Sequence, residues 1–257
     1  PASVKGVLVM ENIMRIGLLQ CDDVAPELID AHGNYPAMFE ALLAPAAFSL
    51  GVSLEWQVYR CLDGEIPDDV EAVDAWLTTG SKFGVNDGHA WIALLEDFVR
   101  ALYRAEKPLV GVCFGHQLIV KALGGEVIKS PKGWGVGLSN NRVGEREPWM
   151  TPWQHDLDLL VSHQDQVETL PEGASTLGGS GFCPHYLIRV GRCFLGVQGH
   201  PEFRPDYSRD LMHLRQGLVG EERVRQGQAS LAGRIDDGVM AEWILRFMRE
   251  AMAVREG

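Results

Sequence analysis

The chain has 257 residues and a formal net charge of −12, and its 46% hydrophobic and 23% charged content is ordinary for a soluble globular protein. The acidic balance argues against nucleic acid or an anionic membrane as partner, because both repel an acidic surface. Five cysteines with no Cys-x-x-Cys pair indicate neither a disulfide framework nor a zinc site. That usage fits the reducing cytoplasm, and no stretch approaches the ~20 apolar residues of a membrane span.

Residues 1–13 stand apart. Val7-Leu-Val-Met10 is apolar but too short for a signal peptide's core with its cleavage site. The segment therefore reads as an N-terminal extension, an upstream start or an expression remnant. Residues 14–257 read as a single domain with a helical tail over 204–257.

From Met14 strands and helices alternate, which predicts an α/β fold with a mostly parallel sheet covered on both faces. Arg15 to Cys21 is the first strand. Gly33-Asn-Tyr-Pro-Ala37 opens a helix with Met38, Leu42 and Leu43 inward, and Pro45 is expected to kink or end it. Leu54–Arg60 and Val73–Thr79 are strands, the second stopping at Gly80. Trp91, Leu94, Leu95, Phe98 and Leu102 then fall at helical spacing.

Pro108–Val112 is a short apolar run that reads as a buried strand. Leu118, Ile119, Ala122 and Leu123 give a helix from Gly115 that Gly124-Gly125 ends. Cys113 sits on the turn between the two, with Gly111 and Gly115 two positions away on either side. This is the pattern of a nucleophile elbow, with cysteine in place of serine. The glycines let the backbone crowd the turn, and the helix start favours a thiolate there.

Beyond Gly125 short strands alternate with Gly, Asn and Pro. Val127–Lys129, Trp134–Ser139, Leu157–Ser162, Ser175–Gly178, His185–Val190 and Phe194–Gln198 suggest an antiparallel extension of the main sheet. The last strand runs into His200, Pro201 and Glu202. A histidine at a strand end with a carboxylate two residues on is the base and orienter that a cysteine nucleophile needs. In the tail, Met240, Trp243, Ile244 and Phe247 form one apolar stripe that reads as a helix packed on the body.

Gly111-Val-Cys-Phe-Gly-His-Gln117 followed by Gly199-His-Pro-Glu-Phe203 resembles the class I (triad) glutamine amidotransferase family, and within it stand-alone proteins similar to the amidotransferase domain of GMP synthetase. Thr79-Gly-Ser81 and Ser162-His-Gln-Asp-Gln-Val167 are weaker landmarks of the same family, and the likeness covers roughly residues 14 to 203. The resemblance implies a flavodoxin-like three-layer sandwich carrying a Cys113–His200–Glu202 triad. By the same resemblance Cys113 is expected to attack a glutamine γ-amide, with the oxyanion on the backbone N–H groups of Ser81 and Phe114. The resemblance also implies that Gly80, Gln117, His163, Gln164 and Asp165 hold the substrate. Two departures bear on the pocket. Gly80-Ser81-Lys82 stands where family members commonly have Gly-Gly-Pro, and Gln164 stands where glycine is usual.

No Gly-x-x-x-x-Gly-Lys-Ser/Thr loop, Ser-Gly-Gly-x-Asp-Ser loop or Rossmann fingerprint appears, so no cofactor or metal is expected. Any synthase that uses the released ammonia is then a separate subunit. Three readings follow: a glutamine amidotransferase or glutaminase, a γ-glutamyl peptidase acting on glutathione-like conjugates, and a non-catalytic binding protein. The intact triad argues against the third.

Overall fold

A computed structural model describes residues 12–256. The expected extension falls mostly outside them, and Ile13, which that reading excluded, already belongs to the first strand. The alternating half comprises β1 (Ile13–Gln20), α1 (Pro26–His32), α2 (Tyr35–Leu50), β2 (Ser53–Arg60), β3 (Ala75–Thr78), α3 (Ala90–Arg104), β4 (Leu109–Val112) and α4 (Phe114–Ala122). Then come β5 (Glu126–Lys129), β6 (Gly135–Ser139), β7 (Arg142–Val143), β8 (Leu159–His163), β9 (Asp165–Thr169), β10 (Ala174–Gly179), β11 (Leu187–Val190) and β12 (Phe194–Val197). The tail holds α5 (Pro205–Leu214), α6 (Gln216–Val219), α7 (Glu221–Ser230) and α8 (Asp237–Glu256).

One sheet runs in the order β2-β1-β3-β4-β12-β11-β10-β7. Neighbours from β2 to β12 are parallel, and β11, β10 and β7 continue the sheet antiparallel. The central strands β4 and β12 are buried along their whole length, as expected for strands covered on both faces. On one face Met14, Ile16 and Leu18 of β1 pack with Phe39 and Leu43 of α2 and with Trp243 and Phe247 of α8. On the other, Leu19 and Trp76 pack with Leu95, Phe98 and Leu102 of α3 and Leu118 of α4. The flavodoxin-like three-layer α/β arrangement is thus present.

Three local expectations need correction, and one strand, β9, was not expected. The strands at 127–129, 134–139 and 157–162 do not join the main sheet: β5 pairs with β9, and β6 with β8, as separate two-stranded ribbons. β9 itself has only Val167 as an apolar residue, so its sequence carries no strand alternation. Pro45 does not end α2, which continues to Leu50 and closes on left-handed Gly51. Pro45 lies on the exposed side, where water can bond the carbonyl its missing N–H leaves free, while Leu43, Ala46 and Ala47 stay buried. Leu94 is 52% exposed, because the buried stripe of α3 is phased on Ile92, Leu95, Phe98, Val99 and Leu102.

The tail stripe packs as expected. Met240, Trp243, Ile244 and Phe247 are all buried, and the Trp243 indole donates to the Pro152 carbonyl at 2.8 Å. Burying an aliphatic or phenyl side chain of this kind contributes about 1.5–3 kcal/mol. The residues of interest lie beyond the carboxyl ends of the adjacent strands β3, β4 and β12, the end at which parallel sheets present their sites.

Candidate active site

β4 delivers Cys113 into a strained turn. Its φ of 51° and ψ of −98° are unusual for a residue with a side chain, and such strain persists only where the surroundings over-determine it. Here the Cys113 N–H donates to the Val197 carbonyl at 2.8 Å, tying the turn to β12. Its carbonyl accepts from the Gln117 N–H at 3.1 Å, beginning α4. A Cβ on Gly111 would lie 2.5 Å from the Gly115 carbonyl carbon, and one on Gly115 would overlap the Thr78 hydroxyl. The two glycines are what let strand, turn and helix close this tightly.

β12 brings the histidine beside the thiol. The His200 N–H donates to the Leu160 carbonyl at 2.8 Å, and Nδ1 lies 2.7 Å from Glu202 Oε1. A carboxylate only accepts, so Nδ1 carries the proton and Nε2 is the nitrogen left for Cys113. Phe203 stacks flat on the imidazole, with centroids 3.8 Å apart and planes 9° from parallel. His200 and Glu202 are both nearly inaccessible. Burial works against a charge on His200, but the Glu202 carboxylate and the Cys113 sulfur outweigh it, so its pKa is raised.

Gly80, just past β3, closes the other side. A Cβ there would meet His200 Cε1 at 2.6 Å. The ring cannot retreat easily because Phe203 covers one face and Glu202 holds its edge. Gly80→Ala is therefore expected to lower stability by about 1–3 kcal/mol. Urea unfolding measures this, and an unchanged midpoint would mean that the loop, rather than the ring, yields.

Ser81 turns its hydroxyl onto the Cys21 carbonyl at 2.9 Å, and Lys82 N–H donates to Asp22 Oδ2 at 2.7 Å, so this loop is fixed. Among the described residues neither the Ser81 nor the Phe114 N–H has a hydrogen-bond acceptor. Both residues line, with Cys113, a cavity of about 310 Å³. Trp91 packs against Phe114 and Phe83, giving this part of the wall an aromatic backing.

The remaining sequence-predicted residues gather at the same cavity. His163 ends β8 and Asp165 begins β9. His163 Nδ1 donates to the Asp165 carbonyl at 3.0 Å, and burial pulls its pKa down to about 4, so the ring is neutral. The Gln164 carbonyl accepts from the Ser130 N–H at 3.1 Å, with the residue half-buried at the cavity wall. Burial, and then the neighbouring Asp87, raise the pKa of Asp165. Gln117 Nε2 donates to the Asp165 carbonyl at 2.8 Å and to Gln198 Oε1 at 3.1 Å.

Several residues were not anticipated from sequence. Gln198 is fully buried and donates from Nε2 to Cys113 Sγ at 3.5 Å. It stands just past β12, two positions before His200 in the same short segment, and that closeness was the signal available. Lys129, Trp134 and, from the tail, Arg215 and Leu218 also line the cavity. Arg215 donates from Nη1 to Ser162 Oγ at 3.0 Å. His116, inside the cysteine motif, faces Gly196 instead, and burial pulls its pKa down to about 3. Among the described residues no three His, Cys, Asp or Glu side chains gather as a metal site.

Comparison with known proteins identifies the family. The family model "Glutamine amidotransferase class-I" matches residues 84–217. Gamma-glutamyl peptidase 4 of Arabidopsis thaliana is 31% identical over 73% of this chain and 78% of its own length. A putative glutamine amidotransferase-like protein of Schizosaccharomyces pombe is 28% identical over 91% of this chain and 98% of its own. In fold, the chain is similar to a glutamine amidotransferase from Thermotoga maritima, with a TM-score of 0.69, 16% identity and coverage of 93% and 97% of the two chains. The chain belongs to the class-I glutamine amidotransferase family.

Proposed function

We propose that the protein is a cysteine hydrolase that cleaves the γ-amide bond of γ-glutamyl compounds through a γ-glutamyl thioester. One observation carries the reading: Cys113 lines a cavity together with Ser81 and Phe114, whose backbone N–H groups have no acceptor among the described residues, and beside its sulfur the buried His200 imidazole is held by the Glu202 carboxylate. In the forward half, the Cys113 sulfur attacks the γ-carbonyl carbon while the Ser81 and Phe114 N–H groups take the oxyanion. His200 Nε2, which has taken the thiol proton of Cys113, passes that proton to the departing nitrogen as the carbon–nitrogen bond breaks. In the second half, His200 takes a proton from water, whose oxygen displaces the sulfur and releases glutamate. Glu202 holds Nδ1 throughout.

The cavity suits a zwitterionic glutamyl group. Asp87 and Asp165 carry like charges on one rim, an arrangement that a substrate ammonium relieves. Lys129 and Arg215 line the same cavity and can receive a carboxylate. Small γ-glutamyl peptides are favoured over free glutamine as substrate, since two proteins named γ-glutamyl peptidase are 30% and 31% identical to this chain, against 28% for the amidotransferase-like protein of Schizosaccharomyces pombe. The second reading, glutaminase serving a separate synthase, rests on the relatives named as amidotransferases and as a GMP synthase subunit.

The discriminating assay uses the purified protein alone and follows glutamate and ammonia. Fast release of glutamate from a γ-glutamyl dipeptide or glutathione S-conjugate, with glutamine ignored, is the expected outcome. Slow glutamine hydrolysis that rises with an added synthase would replace it with the second reading. If neither compound is cleaved and Cys113 is unreactive, the binding-protein reading takes over. Gln164→Gly tests the pocket directly: it is expected to raise glutamine turnover, and no change would clear Gln164 of selecting the substrate.

A further inference from the structure

We infer that Gln198 is a second hydrogen-bond donor to the reacting sulfur, beside His200, and that Gln117 sets its orientation. This rests on the reading of Cys113 as the nucleophile. The inference depends on which end of each carboxamide points where, and a backbone carbonyl decides that. The Asp165 carbonyl can only accept, so the Gln117 atom 2.8 Å from it is the nitrogen, Nε2. That same nitrogen lies 3.1 Å from the Gln198 carboxamide, so the Gln198 atom facing it is the acceptor, Oε1. The other end of Gln198, the Nε2 donor, is then the end 3.5 Å from Cys113 Sγ. Flipping Gln198 would set two NH₂ groups against each other and an oxygen against the sulfur. The run Asp165 carbonyl, Gln117, Gln198, Cys113 therefore has one sense.

Its surroundings make that sense matter. Gln198 is fully buried and Gln117 is 4% exposed, so neither amide can exchange its partner for bulk water. The Gln198 N–H is itself held by the Tyr186 carbonyl at 2.8 Å, fixing the residue to β11's approach. A hydrogen bond to an ionised group is worth more than one to a neutral partner. The Gln198 amide is thus bonded more strongly to a thiolate than to a thiol, and it favours the reactive form. It also leaves the leaving-group proton to His200, since a carboxamide does not give up a proton itself. Gln117 acts one step back, as a positioning residue whose nitrogen is already committed within the protein.

The test needs no substrate, so its failure is separable from failure of the γ-glutamyl reading. Cys113 alkylation by iodoacetamide is followed by mass spectrometry across acid to mildly alkaline pH, with Cys113→Ala as the blank. Gln198→Leu is expected to slow labelling at neutral pH about tenfold and to move the half-maximal rate to higher pH. Gln198→Glu, similar in size but without the donor, is expected to do more, and Gln117→Met less, by freeing Gln198 to rotate. Thermal melts identify the folded variants. Wild-type labelling curves for the folded Gln198 variants would overturn the proposal. If neither Gln198 variant folds, Gln117→Met decides alone: a slowed, shifted curve supports the relay and an unchanged one removes it.

Discussion

Cys113→Ala is expected to abolish γ-glutamyl cleavage, by at least about 10⁴-fold, while the protein still folds. The magnitude follows from losing the atom that forms the thioester, since removing a nucleophile from a comparable triad costs on the order of 10⁶. The fold survives because the substitution deletes one sulfur and leaves the elbow held by the Cys113 N–H to Val197 and by the Gly111 and Gly115 backbone. A glutamine analogue carrying an electrophile should likewise label the wild type once. Exposure does not single out Cys113, which is 5% exposed and no more open than Cys193. What sets it apart is its place on the cavity, with His200 and Gln198 at its sulfur. The other four thiols are pushed up by burial, to about 12 at Cys61, Cys183 and Cys193, and well above the usual thiol range at Cys21. An adduct on any of those four, or a Cys113→Ala protein that still turns over, would remove Cys113 from the mechanism.

The elbow was legible because its causes are local. A buried strand, two glycines at fixed offsets and an apolar helical run each leave a mark within a dozen residues. His200 and Glu202 were legible for the same reason, being two apart at the end of one apolar strand. Gln198 belongs to that very stretch, yet its role depends on Gln117 and Asp165, which come from α4 and β9. β9 was unreadable because Val167 is its single apolar residue, which leaves no alternation to follow. Arg215 and Leu218 were harder again: a charged tail with many arginines gives no sign of which one reaches the cavity wall. Where the sequence misled, the error was one of phase or context. Leu94 belonged to a stripe shifted by a residue, and Pro45 sat on the one face of α2 where a missing N–H is cheap.

His200→Ala is expected to cost nearly as much as the loss of Cys113, and Glu202→Gln distinctly less. His200 serves twice, protonating the departing nitrogen and then deprotonating water, so both halves of the reaction lose their proton carrier without it. Glu202 acts through His200, and neutralising the acid of a serine triad costs ~10⁴-fold. A thiol ionises more readily than a hydroxyl, so the loss here should be nearer 10²-fold. The pH profile adds a sign that activity alone does not give. Burial disfavours the imidazolium, and the Glu202 carboxylate and Cys113 sulfur overcome it, raising the His200 pKa. With glutamine at position 202 one of those two supports is gone, so the imidazolium is lost at lower pH and the alkaline limb of kcat moves toward neutrality. The Phe203 stack and the His200 N–H bond to Leu160 remain, so the ring stays in place and the shift reports charge rather than displacement. Measured across pH on folded Glu202→Gln protein, an alkaline limb that stays put or moves upward would mean that Glu202 does not govern the His200 proton.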